Sequence, residues 1–172
     1  MSTLVVGSPP PELQALLQRR RKAGADRHDE VWEGVLHMSP EPSGAHLDVQ
    51  QQLAELLGPL AREAGLIAGI GGFNLGAEND YRAPDGALFD ERSVAVWRAT
   101  ARLVLEIISP ADESWTKLSF FAEHGVDEVL IVDPAERTVA WLALDESEYR
   151  RVQRSALIEL GAAELAELID WP

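Results

Sequence analysis

The 172-residue sequence contains no cysteine, so it offers neither a disulfide framework nor a thiolate metal site. Any bound metal would have to be held by oxygen or imidazole ligands, which excludes zinc fingers built on cysteine. Long apolar runs are also missing, since no stretch approaches the length that spans a membrane. The N-terminus lacks the basic flank and the apolar segment of a signal peptide. We therefore expect a cytoplasmic protein.

Basic residues are scarce beside acidic ones. Fifteen Lys and Arg stand against 29 Asp and Glu, which gives a formal net charge of −14. Such an acidic exterior disfavours broad electrostatic capture of nucleic acid or of anionic membranes. Two local basic clusters, at 19–22 and 150–154, are the candidates for phosphate contacts, although a solvated helix end and strand face explain them more simply.

The apolar pattern predicts one α/β domain over residues 1–172, large enough to bury a single core. A flexible leader over 1–11 precedes a helix at 12–22, a hairpin at 31–36 and a Pro-rich loop. A stripe that includes Val49, Leu53 and Leu57 predicts a long helix over 45–64. The rest of the chain predicts strands at 66–75, 81–89 and 103–108, a helix at 112–124, a strand at 128–132, a hairpin at 138–153 and a closing helix at 162–169.

Glu106 is the most informative residue, because it is a lone acid inside an apolar run that should be buried on both faces of a central strand. An unpaired carboxylate there would be costly, so it needs a cation, a proton or a hydrogen-bonding partner. A second acid, Asp85, lies on the adjoining predicted strand between Pro84 and Gly86, which favour an irregular or edge position. Two carboxylates on neighbouring strands can share one divalent ion.

Each acid also has a simpler structural interpretation. Glu106 would pair with an arginine, either Arg82 or Arg102, and Asp85 would belong to an ordinary Pro-Asp-Gly turn. The spacing of the residues does not decide between these alternatives and a metal site.

Three further side chains complete the candidate set. Lys117 flanks the apolar stripe of the helix after Glu106, so its ammonium either reaches the strand ends or extends to solvent. His46 lies on the core-facing stripe of the long helix. It is either a hydrogen-bonded core histidine or a group that transfers protons or binds substrate. Glu33 is either a further metal or water ligand or a hairpin-turn acid.

Taken together, several short motifs resemble the Uma-type endonuclease family, a bacterial branch of the PD-(D/E)xK superfamily. The resemblance covers about residues 30–145. It rests on Glu33-Gly34, Met38-Ser39-Pro40, His46, Pro84-Asp85, Leu105-Glu106-Ile107-Ile108-Ser109-Pro110, Lys117, Gly125-Val126 and Val129-Leu130-Ile131-Val132-Asp133-Pro134. It implies a restriction-endonuclease-like core, in which helices flank a central mixed β-sheet, with an N-terminal helix and hairpin.

The resemblance also implies hydrolysis of phosphodiester bonds in DNA or RNA. Asp85 and Glu106 would hold Mg²⁺, or Mn²⁺ as the alternative ion, with the backbone carbonyl of Ile107 as a further ligand. The lysine that the superfamily has two residues after the second acid is replaced by Ile108, so its role would pass to Lys117.

Other functions and the oligomeric state stay open at this stage. A catalytically silent binding or assembly domain and a metal-dependent hydrolase of another phosphate ester are the alternatives to a nuclease. Restriction-type folds often work in pairs, so a homodimer is considered, with Trp97, Trp141 or Trp171 as interface candidates.

Overall fold

The computed structural model describes residues 3–5, 10–71, 73–109 and 113–172. Its helices are α1 (Pro11–Ala23), α2 (Gly44–Glu63), α3 (Leu118–Glu123) and α4 (Ala162–Leu168), and a 3-10 turn over Ser114–Lys117 directly precedes α3. Its strands are β1 (Thr3–Val5), β2 (Glu30–Trp32), β3 (Val35–Met38), β4 (Ile67–Ile70), β5 (Asn74–Ala77), β6 (Asp80–Arg82), β7 (Gly86–Phe89), β8 (Trp97–Arg98), β9 (Leu103–Ile107), β10 (Glu128–Asp133), β11 (Thr138–Asp145) and β12 (Glu148–Val152).

The described strands form two six-stranded sheets instead of the single central sheet that we expected. The first sheet has the order β1-β3-β2-β6-β5-β8, and the second has the order β12-β11-β10-β9-β7-β4. Both sheets are mixed, because β5 and β8 pair in parallel in the first, as do β9 and β10 in the second. The α/β class is thus confirmed, with its strands divided between two sheets.

The division of the sheet arises where predicted strands break. The strand expected over 81–89 ends at Arg82 and resumes at Gly86, and its halves β6 and β7 belong to different sheets. Pro84 lies in this break, where its missing N–H cannot contribute to a ladder. The strand expected over 66–75 is likewise split into β4 and β5. Asp85 therefore lies where the chain crosses from the first sheet to the second.

Strand β9 is buried on both faces. Leu103, Leu105 and Ile107 pack into the apolar cluster that contains the core stripe of α2, and Val104 packs into the cluster that contains α3. Side chains alternate along a strand, so Glu106 lies on the same face as Val104. The long helix, the hairpin of β2 and β3 and the strand β9 are all confirmed close to their predicted bounds.

The structure differs from the predictions near the ends of several elements. The start of the helix expected over 112–124 lies outside the described residues, and the described portion is the 3-10 turn followed by α3. Trp115, in the 3-10 turn, is 47% exposed. The leader expected over 1–11 contains β1, which pairs with β3, while residues 1–2 and 6–9 lie outside the described residues. Helix α1 starts at Pro11, whose fixed φ suits a first helical position.

The tryptophans considered as interface candidates have different environments. Trp141 is fully buried in the core, and the partly buried Trp171 packs against the same core cluster. Trp97 is 41% exposed on β8. Trp141 is therefore excluded as an interface residue. No helix in the described ranges is long and apolar enough to cross a bilayer.

Candidate functional site

A cavity of about 360 Å³ lies at the crossing between the two sheets. Asp85, Glu106, Ile107, Lys117 and His46 all contribute to its lining. These residues come from the link between β6 and β7, from β9, from the 3-10 turn and from α2. The tertiary structure therefore gathers five sequence-predicted residues that are up to 71 positions apart in the sequence.

Asp85 is held by four hydrogen bonds, two at its carboxylate and two at its backbone carbonyl, one of which comes from the backbone N–H of Gly71 at 3.0 Å. Its Oδ2 accepts from the backbone N–H of Ile107 at 2.7 Å, and its Oδ1 lies 2.9 Å from Nε2 of His46. The side-chain amide of Gln50, one helical turn after His46, donates to the backbone carbonyl of Asp85 at 2.8 Å. Asp85 is thus more than a turn residue, because both of its carboxylate oxygens are oriented by residues that line the cavity.

Glu106 is the most buried acid of the cavity, with 3% of its surface exposed. Nζ of Lys117 lies 3.0 Å from its Oε2 and 3.2 Å from its Oε1, and the hydroxyl of Ser114 donates to Oε2 at 3.2 Å. Burial raises the pKa of Glu106 to about 8, since the effect of Lys117, which lowers it, is outweighed by burial together with the negative charges of Asp85 and Glu30.

The arginine partners considered for Glu106 are engaged elsewhere. Arg82 donates to the carbonyl of Val31 and to the carboxylate of Asp80, and Arg102 forms ion pairs with two other aspartates, Asp90 and Asp127. The alternative in which an arginine neutralises Glu106 is wrong, and the cation beside this carboxylate is Lys117.

Lys117 lies at the last position of the 3-10 turn, and its ammonium contacts two carboxylates. Nζ is 2.9 Å from Oε1 of Glu30 and 3.0 Å from Oε2 of Glu106. Burial alone would lower the pKa of Lys117, but the charges and hydrogen bonds of Glu106 and Glu30 raise it above its usual range. Lys117 is therefore a fixed cation of the cavity and does not extend to solvent.

Glu30 is the site residue that sequence reasoning missed. It lies at the start of β2, is 5% exposed and lines the cavity. We had considered Glu33 from the same hairpin, but Glu33 occupies the turn with φ of 49°, is exposed and is not among the described residues that line the cavity. One signal could have identified Glu30: strand alternation places it on the same face as Trp32.

His46 lies in the first turn of α2 and is 8% exposed. Besides its contact with Asp85, its Nδ1 lies 3.1 Å from the hydroxyl of Ser109. Ser43 accepts from the backbone N–H of His46 and so caps the helix at this point. The imidazole is therefore hydrogen-bonded at both nitrogens, and one of the two contacts orients a carboxylate of the cavity.

The donors in the cavity suit a hard divalent ion. Asp85 and Glu106 offer carboxylate oxygens, and their charges are close enough for Asp85 to raise the pKa of Glu106. Within the described residues, no group of three or more acids or histidines is arranged to hold a metal by itself. Magnesium is usually bound through one or two carboxylates and retains several waters, so this donor set fits Mg²⁺ better than a metal that needs a full protein cage.

Comparisons with known proteins identify a family and a similar fold. A profile of the family Uma2, described as "Putative restriction endonuclease", matches residues 11–167. The crystal structure of "a putative nuclease belonging to DUF820 from Anabaena variabilis ATCC 29413" is similar, with a TM-score of 0.68 and 17% identity over 83% of this chain and 92% of that chain. The "cryoEM structure DrdV-DNA complex" matches with a TM-score of 0.39 and 21% identity over 67% of this chain and 10% of that chain. No curated protein matches significantly.

Proposed function

The chain belongs to the Uma2 family of restriction-endonuclease-like proteins, and we propose that it is a metal-dependent endonuclease that hydrolyses phosphodiester bonds. The observation that carries this proposal is the convergence of Asp85, Glu106 and Lys117 in one cavity, which combines two carboxylates with a fixed cation. The family description favours DNA as the substrate, with RNA as the alternative.

Asp85, Glu106 and the backbone carbonyl of Ile107 are the groups that would hold Mg²⁺ or Mn²⁺. A bound divalent ion would polarise the phosphate and lower the pKa of a coordinated water. The hydrogen bonds from Ile107 and His46 keep the Asp85 carboxylate in place, so it need not reorganise when a ligand binds.

Lys117 would stabilise the negative charge that develops on the phosphate oxygens during hydrolysis. Because Glu30 and Glu106 raise its pKa, Lys117 is protonated at neutral pH and acts as a cation instead of a general base. Its ammonium is already fixed by two carboxylates, which supports an electrostatic role in the cavity.

The second candidate function is a catalytically silent binding or assembly domain. It is favoured by the net charge of −14 and by the two acids, Glu41 and Glu113, that line the cavity beside the candidate site. The basic clusters that we considered for phosphate contacts also have acidic neighbours. Arg20 pairs with Asp29, and Arg150 pairs with Asp145. A silent domain has no evident need for the buried Glu106 beside the half-buried Asp85, so we favour the nuclease.

Calorimetric titration of Mg²⁺ and Mn²⁺ tests the metal site without knowledge of the substrate. We expect binding to the wild type and loss of binding in the Asp85→Ala, Glu106→Ala double variant. Glu55→Gln, which removes an exposed acid on α2, is the control and should bind as the wild type does.

Cleavage of duplex DNA, single-stranded DNA and RNA with Mg²⁺, Mn²⁺ or EDTA tests the activity. We expect cleavage that requires the metal and disappears in the double variant. Absence of metal binding in the wild type both with and without nucleic acid, together with absence of cleavage, would support the silent domain.

A further inference from the structure

Glu30 contacts the 3-10 turn, the link between β6 and β7, and a second residue of its own strand. Its Oε1 lies 2.9 Å from Nζ of Lys117 and accepts a 2.9 Å hydrogen bond from the backbone N–H of Ala83, two residues before Asp85. Its Oε2 accepts a 2.7 Å hydrogen bond from the indole N–H of Trp32. A carboxylate with 6% of its side chain exposed and with partners on both oxygens has little freedom to rotate.

The indole of Trp32 is itself fixed by two aromatic and cationic contacts. The imidazole of His37 stacks on it with ring centroids 4.2 Å apart and planes 16° apart. The guanidinium of Arg82 lies 4.5 Å from the indole centroid and 3.9 Å from the ring centroid of Phe120. These contacts hold the plane of the indole, and with it the direction in which its N–H donates to Glu30.

We propose that Glu30 is the positioning residue for Lys117 and that Trp32 in turn positions Glu30. Lysine carries its ammonium on a flexible four-carbon stem, so one ion pair does not define its position. Glu106 is shared between Lys117 and the candidate metal site, whereas Glu30 keeps the ammonium in place when Glu106 has another partner. This inference rests on the function proposed above for Lys117.

A second glutamate and tryptophan pair provides a matched control. The indole N–H of Trp141 donates to Oε2 of Glu128 at 2.7 Å, and the backbone N–H of Ala156 donates to Oε1 at 2.7 Å. Glu128 is 2% exposed, contacts the hydroxyl of Ser155 as well, and is not among the described residues that line the cavity. Glu128→Gln and Trp141→Phe thus repeat the same chemical changes in a buried pair that does not contact Lys117.

Lysine side-chain NMR reads the position of Lys117 directly, because the sequence contains only two lysines, Lys22 and Lys117. In ¹⁵N-lysine-labelled protein, we expect a ¹H–¹⁵N ammonium cross-peak from buried Lys117, since its protons exchange slowly, and none from exposed Lys22. Lys117→Arg assigns the signal. Glu30→Gln and Trp32→Phe should broaden or abolish the cross-peak, whereas Glu128→Gln and Trp141→Phe should keep it.

Trp32→Phe retains every charge and most of the ring, so it serves as the test if Glu30→Gln fails to fold. An unchanged Lys117 cross-peak in a folded Glu30→Gln or Trp32→Phe protein would overturn the proposal. A loss of Mg²⁺ affinity in Glu30→Gln as large as that in Glu106→Gln would also overturn it, because Glu30 would then be a metal ligand.

Kinetics separates this inference from the proposed function. If the wild type cleaves nucleic acid, Glu30→Gln should lower kcat by roughly 10- to 100-fold with little change in KM, because an orienting partner of a site residue is removed. A wild type that cleaves nothing would count against the nuclease, while the NMR signal would still decide whether Glu30 positions Lys117. Unchanged kcat in Glu30→Gln would count against the positioning role alone.

Discussion

The carboxylate of Asp85 is bound to the backbone of Ile107, the residue directly after Glu106. This 2.7 Å hydrogen bond joins the link between the two sheets to the central strand of the second sheet. This bond fixes the position of the Asp85 carboxylate relative to the backbone of β9, the strand that carries Glu106. The acids are therefore preorganised before any ligand enters the cavity.

Removal of the Lys117 ammonium should lower the free energy of unfolding most when no metal is present. In Lys117→Ala, the carboxylates of Glu30 and Glu106 lose their shared partner, and we expect a loss of about 3 kcal/mol in the free energy of unfolding in EDTA. Mg²⁺ should raise the melting temperature more in this variant than in the wild type, because the ion supplies the missing positive charge. Lys22→Ala is the control and should match the wild type in scanning calorimetry. An equal effect of Mg²⁺ on both proteins would contradict the prediction.

The pH dependence of stability should contain a contribution from Glu106. Its pKa is raised from 4.5 to about 8 in the folded protein, so between these values the folded state binds more protons than the unfolded chain. The free energy of unfolding of the metal-free protein therefore contains a part that falls as pH rises through this window.

Glu106→Gln should lack this decline, whereas Glu55→Gln should keep it. Urea unfolding in EDTA at several pH values from 5 to 8.5 measures the difference. Parallel stability profiles for the wild type and Glu106→Gln would show that the carboxyl is ionised throughout.

His46 should affect metal binding through Asp85. His46→Ala removes the 2.9 Å contact with Oδ1, and we expect Mg²⁺ affinity to fall about tenfold, as is typical when a partner that orients a ligand is lost. His124→Ala is the matched change, because His124 bonds to the carbonyl of Phe120 and is not among the described residues that line the cavity. Calorimetry should give the wild-type affinity for this control. If both variants bind Mg²⁺ equally well, His46 is only a core histidine.

Two glycine substitutions should change stability in opposite directions. A Cβ on Gly76, whose φ is +115°, would overlap the carbonyl oxygen of Asp80 and lie 2.8 Å from the ring of Phe120, so Gly76→Ala should destabilise the protein by about 3 kcal/mol. A Cβ on Gly44, the first residue of α2, meets nothing within 4 Å, so Gly44→Ala should stabilise the protein by about 0.5–1 kcal/mol. Chemical unfolding measures both changes. A stabilising Gly76→Ala would show that β5 can move away from Phe120.

Local sequence signals were sufficient for the elements that have a strong period or a clear end. The apolar stripe of α2, the unbroken run of β9 and the hairpin of β2 and β3 could all be predicted, because each depends on residues only a few positions apart. The family motifs also led to Asp85, Glu106, Lys117 and His46, which the structure brings into one cavity.

The contacts across the cavity could not be predicted in the same way. The sequence analysis names Glu33 and not Glu30, because alternation with Trp32 alone does not show which face of the hairpin is buried. The strand register buries Glu30 and leaves Glu33 in the exposed turn. The choice of Lys117 over Arg82 or Arg102 as the partner of Glu106 likewise depends on where distant elements meet.

The sequence by itself determined which segments become helices and strands and which acidic residue is buried in the central strand, since periodicity and burial are properties of short stretches of chain. Only the tertiary structure decided that strands 66–75 and 81–89 would each divide between two sheets, and that Glu30 would join the cavity. Sheet register and the crossing at residues 83–85 set these outcomes. They depend on pairing between residues far apart in the chain, which no local pattern encodes.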